Sequence, residues 1–344
     1  MNDAQLQAAY TSALGRPAGT VTRLPGGAGN RIYWRVDGLS GGQNAVVMEL
    51  PPDPAKSEEA SKDHAPAELP FLNVHHYLSG IGVRVPRLYL DAVRDGFLVI
   101  EDLTDRTLER ALQEGQGKHD LYAKAIDALA RLRAHAERAP DPSCLAWTRA
   151  FDYDLYHWEF EHFLEYGLLA RGAKPTEAEL QTLRREFARI SLALSKAPRS
   201  FTHRDYQSRN IMVTGSGEQV VIDFQDALQG PRQYDLVALL RDSYVELDRK
   251  LIDEMLQRYL KTFAAEGGER LDAGEFTAFF DLLTVQRKLK DAGRFVFIDQ
   301  VKKNPSFLAH IPSSLKYVRD ALKRRPELRE VHQILMKHLP ELRG

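Results

Sequence analysis

The sequence of 344 residues contains one cysteine, Cys144, so no internal disulfide can form and no zinc site can be built from several thiolates. No apolar run approaches the roughly 20 residues needed to span a bilayer. The opening residues, Met1-Asn2-Asp3-Ala4-Gln5, carry no basic stretch leading into an apolar one, so a secretory leader is not expected. Excess charge is missing too. The 47 Lys and Arg face 48 Asp and Glu, a formal net charge of -1, which argues against a nucleic-acid binder acting through bulk electrostatics. Internal repeats and low-complexity tracts are absent. What is there, 43% hydrophobic and 28% charged residues, is the composition of a globular protein. The expectation is a monomer in the cytoplasm, long enough for one large domain or two intimate ones.

The first hundred residues read as mostly strand. A turn-rich loop, Leu24-Pro25-Gly26-Gly27-Ala28-Gly29-Asn30, precedes Arg31-Ile32-Tyr33-Trp34-Arg35-Val36, whose aromatic and β-branched content predicts a strand. Ala45–Leu50 predicts its hairpin partner. A loop over 51–64 leads to an amphipathic helix over about 67–79, stopped by Gly80-Ile81-Gly82. Residues 87–91 and 97–100 then make a second hairpin around Arg94-Asp95-Gly96. Beyond Glu101-Asp102 the 3.6-residue period dominates, over 119–137, 152–170, 176–196, 234–264 with a break near Asp248, and 274–291, with shorter helices to 339. The fold class expected is α+β in two lobes: residues 1–101, an antiparallel sheet with one long helix, and residues 102–344, mainly helical.

A non-helical island over 201–232 interrupts the helices and concentrates the polar chemistry. It runs Phe201-Thr202-His203-Arg204-Asp205-Tyr206-Gln207-Ser208-Arg209-Asn210, then Ile211-Met212-Val213, a Gly-Ser-Gly turn, and Val220-Val221-Ile222-Asp223-Phe224-Gln225-Asp226. Asn210 stands before the first short strand and Asp223 ends the second, so a hairpin draws them together. Hard oxygen ligands of this kind suit Mg²⁺, which shares its shell with water and substrate phosphate. Asp205, on the preceding loop, then serves as the base that orients and deprotonates an attacking hydroxyl. Singly, such residues more often cap helices or make turns; their joint spacing, H-R-D-x-x-x-x-N followed by I-D-F, carries the signal.

That pattern resembles the catalytic loop and metal-binding strand of protein-kinase-like enzymes, and within them the aminoglycoside phosphotransferase and choline kinase type. Gly230-Pro231, Tyr234-Asp235-Leu236-Val237-Ala238-Leu239-Leu240-Arg241-Asp242, the aromatic segment 30–36 and Trp158-Glu159-Phe160-Glu161-His162-Phe163-Leu164 narrow the similarity. They resemble the bacterial cell-wall-recycling kinases that phosphorylate the anomeric hydroxyl of N-acetylmuramate and N-acetylglucosamine. The resemblance implies a bilobal protein-kinase-like fold, ATP as co-substrate, Mg²⁺, and an α-1-phosphate product. It also implies that His203 is structural and that Asp235, by position a helix cap, ties down the catalytic loop.

Other contacts follow as expectations. Backbone N–H groups around Gly27, Gly29 and Asn30, with Arg31, cover phosphates. Backbone groups of Glu101 and Leu103 meet an adenine edge. Arg209 stabilises transferring charge beside the substrate, and Glu159 and Asp226 take sugar hydroxyls. His157 and Glu161 form a helix-surface pair. One departure stands out: the strand 45–50 has no Lys where a kinase grips the α- and β-phosphates, so Arg31, Arg35 or Lys56 substitutes, with Glu68 as a candidate partner. An aminoglycoside, an amino alcohol or another sugar is the alternative acceptor; a nucleotide-binding scaffold without catalysis is the second alternative.

Overall fold

The computed structural model describes residues 1–25, 31–51 and 68–343. In chain order the elements begin with α1 (Asp3–Leu14), β1 (Ala18–Arg23), β2 (Ile32–Gly38), β3 (Ala45–Glu49), α2 (Pro70–Gly80), β4 (Leu88–Ala92) and β5 (Phe97–Glu101). Next come α3 (Leu108–Gln113), α4 (Lys118–Arg138), α5 (Tyr153–His162), α6 (Glu177–Ser195), β6 (Arg199–Thr202), β7 (Ile211–Val213), β8 (Gln219–Val221) and β9 (Leu228–Pro231). The chain ends with α7 (Tyr234–Leu240), α8 (Arg249–Ala265), α9 (Ala273–Lys302), α10 (Ile311–Leu322) and α11 (Arg329–His338). Among the described residues no helix is long and apolar enough to cross a membrane. Two compact units emerge: Met1–Thr107 with Ile211–Asp226, and Leu108–Asn210 with Ala227–Gly344.

The first unit is built on a five-stranded antiparallel sheet in the order β1-β2-β3-β5-β4. Central strand β3 reads Ala-Val-Val-Met, and all four residues are buried. In register, Val47 faces Trp34 on β2 and Val99 on β5. Leu6 and Tyr10 of α1 pack on Val36, Val47 and Val99. Each fully buried side chain of this size contributes about 1.5–3 kcal/mol. Helix α1 is capped by an Asn2/Gln5 capping box and ends on Gly15 at φ +64°.

Hairpin β7–β8 belongs to this unit, although the boundary expected at 101/102 puts it in the other lobe. The physical reason is docking onto the segment that follows β5. Met212, Val220 and Ile222 pack on Leu103. The Val213 amide donates to the Arg106 carbonyl at 2.7 Å, and the Val221 amide donates to Arg84 at 3.1 Å.

The second unit is helical, with a two-stranded β6–β9 ribbon that leads into the first part of the polar island, residues 203–210. Helix α9 spans 30 residues, and Phe280–Leu289 are all buried. A helix apolar on one stripe would expose half of those positions; this one is covered all round. The single helix expected over 152–170 instead ends at His162 and widens into a π-helical turn, Phe163–Leu169. That turn crosses α9 at close range. A Cβ on Gly293 would stand 2.9 Å from the Phe163 Cα, so only glycine fits. Gly293→Ala is therefore expected to destabilise by about 1–3 kcal/mol, read as a lowered urea midpoint, although alanine in an open helix stabilises by roughly 1 kcal/mol.

Candidate active site

In the second unit the island starts where β6 ends. The Asp235 carboxylate, at the first turn of α7 and fully buried, accepts from the His203 amide at 2.9 Å and the Arg204 amide at 3.0 Å. The Arg133 guanidinium of α4, also fully buried, completes its shell at 2.9 Å. Arg204 sits at φ +78°, a left-handed conformation that costs a non-glycine residue on the order of 1 kcal/mol. Its amide bond to Asp235 holds it there. This turn leads directly into Asp205.

Asp205 keeps its side chain 36% exposed, and its Oδ1 lies 3.5 Å from Nη2 of the buried Arg287. Burial pushes its carboxyl upward, but Arg287, then Lys290, Arg204 and His203, pull it further down, so it sits below the usual aspartate range. It is a carboxylate at neutral pH. The Asp205 carbonyl accepts from Nδ2 of Asn210 at 2.9 Å and from the Gln207 amide at 2.9 Å. That bond orders the Asn210 side chain, with its nitrogen end turned to the backbone of the catalytic loop. Ser208 fixes the middle of the loop: its amide and hydroxyl donate to the buried Asp242 at 2.8 and 2.5 Å. His203 is fully buried with its ring edge-on to Tyr206, away from solvent and unsuited to proton exchange with a substrate.

Arg209 is engaged within its own unit. It makes a two-pronged ion pair with Glu109 at 2.7 and 3.1 Å and lies 3.6 Å over the Tyr244 ring. Glu159 is 1% exposed and accepts from Gln286 at 2.6 Å. Glu161 pairs with Arg184 and His157 stacks on Tyr153, so these two do not pair with each other.

In the first unit, Asp223 is exposed, follows β8 and sits at φ +65°. Its Oδ1 accepts from Gln225 at 2.8 Å. Phe224, next in sequence, is fully buried 5.1 Å from Phe71 and 6.1 Å from His75 of α2, an anchor that fixes the backbone beside Asp223. Arg31 acts on the Tyr33 hydroxyl by charge and hydrogen bond, and the Asp223 charge acts on the same group. Burial raises the Tyr33 hydroxyl above its usual range.

Of the candidates for the phosphate-gripping cation, Arg35 is committed to Asp102 at 2.7 Å and Asp105 at 3.0 Å. Glu49 is held by the chain's amino group at 2.7 Å and by Trp34 at 3.0 Å. Glu68 pairs with Asn73 and His76. The Glu101 carboxylate pairs with Arg84 at 2.7 Å and its amide donates to Arg87, while Leu103 is buried beneath the hairpin. Gly27, Gly29, Asn30 and Lys56 lie outside the described residues. Asp226 ends the first unit's hairpin segment, half-buried.

In the second unit, a loop carboxylate with an ordered amide behind it is the kind of group that orients a hydroxyl for phosphoryl transfer. A model of the phosphotransferase enzyme family matches residues 20–273. The chain belongs to that family. This phosphotransferase is 33% identical over 310 residues to the N-acetylmuramate/N-acetylglucosamine kinase of Pseudomonas aeruginosa, covering 89% of this chain and 84% of that one. It is 31% identical over 323 residues to the enzyme of the same name from Pseudomonas putida, covering 93% and 88%.

Solved structures agree on the fold. The choline kinase LicA from Streptococcus pneumoniae superposes with a TM-score of 0.59 at 13% identity, covering 92% of this chain and 99% of that one. The ADP-bound aminoglycoside phosphotransferase APH(2'')-Ib gives 0.57 at 15% identity, covering 92% and 98%. The phosphotransferase thus has the protein-kinase-like α+β fold, and it is an enzyme that phosphorylates a hydroxyl group.

Reading the motif alone passes over the groups behind Asp205. Arg287 and Lys290 of α9, Asp242 and Arg133 all shape the loop or its charge. The signal for the first two was present as Arg287-Lys288-Leu289-Lys290-Asp291, charges clustered inside a helix that is otherwise core.

Proposed function

We propose that this phosphotransferase moves the γ-phosphoryl group of ATP to the anomeric hydroxyl of an amino sugar, N-acetylmuramate or N-acetylglucosamine, giving the α-1-phosphate. In this reading it works as a cytoplasmic monomer in the reuse of cell-wall sugars. The observation that carries it is the pair of relatives named for these two sugars, aligned over 89% and 93% of the chain.

Asp205 accepts a hydrogen bond from the sugar hydroxyl, aims its oxygen at the phosphorus and takes the proton as the new bond forms. A carboxylate held below the usual range is a weak base, which suits a transition state in which the nucleophile needs orientation more than early deprotonation. Asn210 and Asp223 are the oxygen donors that would hold Mg²⁺, and their chemistry fits: an amide with its nitrogen end tied down and an exposed carboxylate. Bound there, the metal supplies charge neutralisation for the phosphates. Rate enhancement comes mainly from positioning and charge stabilisation.

Cationic acceptors such as aminoglycosides or amino alcohols fit less well. Arg287 and Lys290 place positive charge beside Asp205, and like charge repels a cationic acceptor there. The test is direct. Purified protein with Mg-ATP and a panel of sugars and amines should release ADP with the two amino sugars and not with choline or kanamycin. ³¹P NMR should place the new phosphate on C1. Phosphate on C6, or turnover with amines alone, removes the assignment.

A further inference from the structure

Helix α9 carries a cluster of buried polar groups that the catalytic roles above do not use. The Arg287 side chain is 2% exposed, and its guanidinium lies 4.6 Å over the Tyr234 ring, which fixes its plane. Only Nη2 approaches an anion, Asp205, and at 3.5 Å. Its Nε and Nη1 are buried and make no hydrogen bond among the described residues. A guanidinium has two fork-shaped edges, Nε with Nη2 and Nη1 with Nη2, so both edges hold an unclaimed donor. Leaving such donors unsatisfied is costly, and native interiors rarely do so without a purpose.

The neighbours do not supply the missing acceptor. Lys288 takes Asp291 at 2.6 Å, and Glu159 takes Gln286 at 2.6 Å. Lys290, one turn along from Arg287 on the same side of α9, adds a second cation whose ion-pair contact with the shared Asp291 is only 3.7 Å. Next to the carboxylate that must meet the acceptor hydroxyl, then, stands a fixed planar fork with a supporting ammonium. That is the arrangement that recognises a carboxylate bidentately.

We propose that Arg287, assisted by Lys290, is the specificity determinant that binds a carboxylate on the acceptor sugar. The acidic N-acetylmuramate, with its lactyl ether, is read by charge, and the neutral N-acetylglucosamine is not. The proposal rests on the amino-sugar reading given above and deepens it. It adds a role for two residues of α9 that no catalytic motif contains.

The experiment compares kcat/KM for N-acetylmuramate, its methyl ester and N-acetylglucosamine, in the wild type and in Arg287→Gln, Arg287→Lys and Lys290→Gln. In Arg287→Gln the acid-to-ester ratio should fall about 10- to 100-fold, chiefly through KM for the acid. Arg287→Lys should recover part of the ratio, because the charge returns without the fork. Lys290→Gln should lower it by a few-fold, roughly 3 to 10, as a partner of the fork. Arg287 also touches Asp205, so rates for all three sugars are expected to drop; only the ratio reports recognition. Circular dichroism and ATP affinity identify any variant that has lost its fold, in which case the remaining two decide. A ratio unchanged within about twofold in the folded variants overturns the proposal and leaves the functional reading standing. A wild type that phosphorylates none of the three sugars overturns the functional reading itself, and this proposal with it.

Discussion

Asp205→Asn is expected to leave the fold and ATP binding intact while lowering kcat for the amino sugar by about 10²- to 10⁴-fold, the range that a positioned proton acceptor contributes. Asparagine keeps the shape and can still lie near Nη2 of Arg287, 3.5 Å away in the native protein. It cannot take a proton. KM for ATP should change less than about threefold, because no group of Asp205 is assigned to the nucleotide. ADP release gives kcat, and a fluorescent ATP analogue gives affinity. A variant that keeps turnover would end the assignment of Asp205.

The pH dependence follows from the same surroundings. The cations behind Asp205 overcome the upward push of burial and hold its carboxyl below the usual range. The acid limb that Asp205 imposes on kcat/KM should therefore lie below the pH at which an ordinary aspartate titrates. Activity is present above that limb and lost as pH falls through it. In Arg287→Gln the largest of those pulls is gone, and the limb should move upward. The direction is the test: a limb that stays put in that variant would mean the guanidinium does not govern this carboxylate.

Much of this architecture is legible in the sequence, and the reasons for the gaps are physical. Strand β3 and its neighbours announce themselves because Val46-Val47-Met48 and Ile32-Tyr33-Trp34 are apolar or aromatic runs bounded by glycine turns. Helix α1 escapes because its buried face is only Leu6, Ala9 and Tyr10, within a helix that otherwise faces water. Helix α9 reads as ending at 291 because charged residues interrupt the apolar period there, yet Lys288 and Asp291 pair inside the fold and the helix continues to Lys302. Within the site, Asp205, Asn210 and Asp223 are visible as a spacing. What no spacing shows is which cation goes with which anion. Arg209 reads as a residue beside the substrate, and its pairing with Glu109, 100 residues away in sequence, is invisible to the motif. Arg35 reads as a lysine substitute until Asp102 and Asp105 take it. Pairing over such distances is a property of the folded chain.

The largest stability effect is expected at Asp235, which no substrate touches. Its carboxylate and the Arg133 guanidinium face each other at 2.9 Å with both side chains at 0% exposure. Removing one member strands the other charge without water, at a cost of about 3–5 kcal/mol. For a folded protein with roughly 5–15 kcal/mol in hand, Asp235→Ala should shift the urea midpoint far down. Turnover should fail as well, for a separate reason. The same carboxylate holds the His203 and Arg204 amides, and Arg204 sits in a left-handed conformation that its amide's hydrogen bond to Asp235 supports. With the acceptor gone the loop relaxes, and Asp205, next in sequence, moves with it.

A double variant separates the two effects. Arg133→Met with Asp235→Ala removes both charges, so most of the lost stability should return, because a buried ion pair adds little over well-packed apolar groups. The loop amides remain without their acceptor, and kcat should stay low. Recovery of both stability and kcat in the double variant would show that the ion pair alone matters and that the amide bonds to Asp235 do not position the catalytic loop.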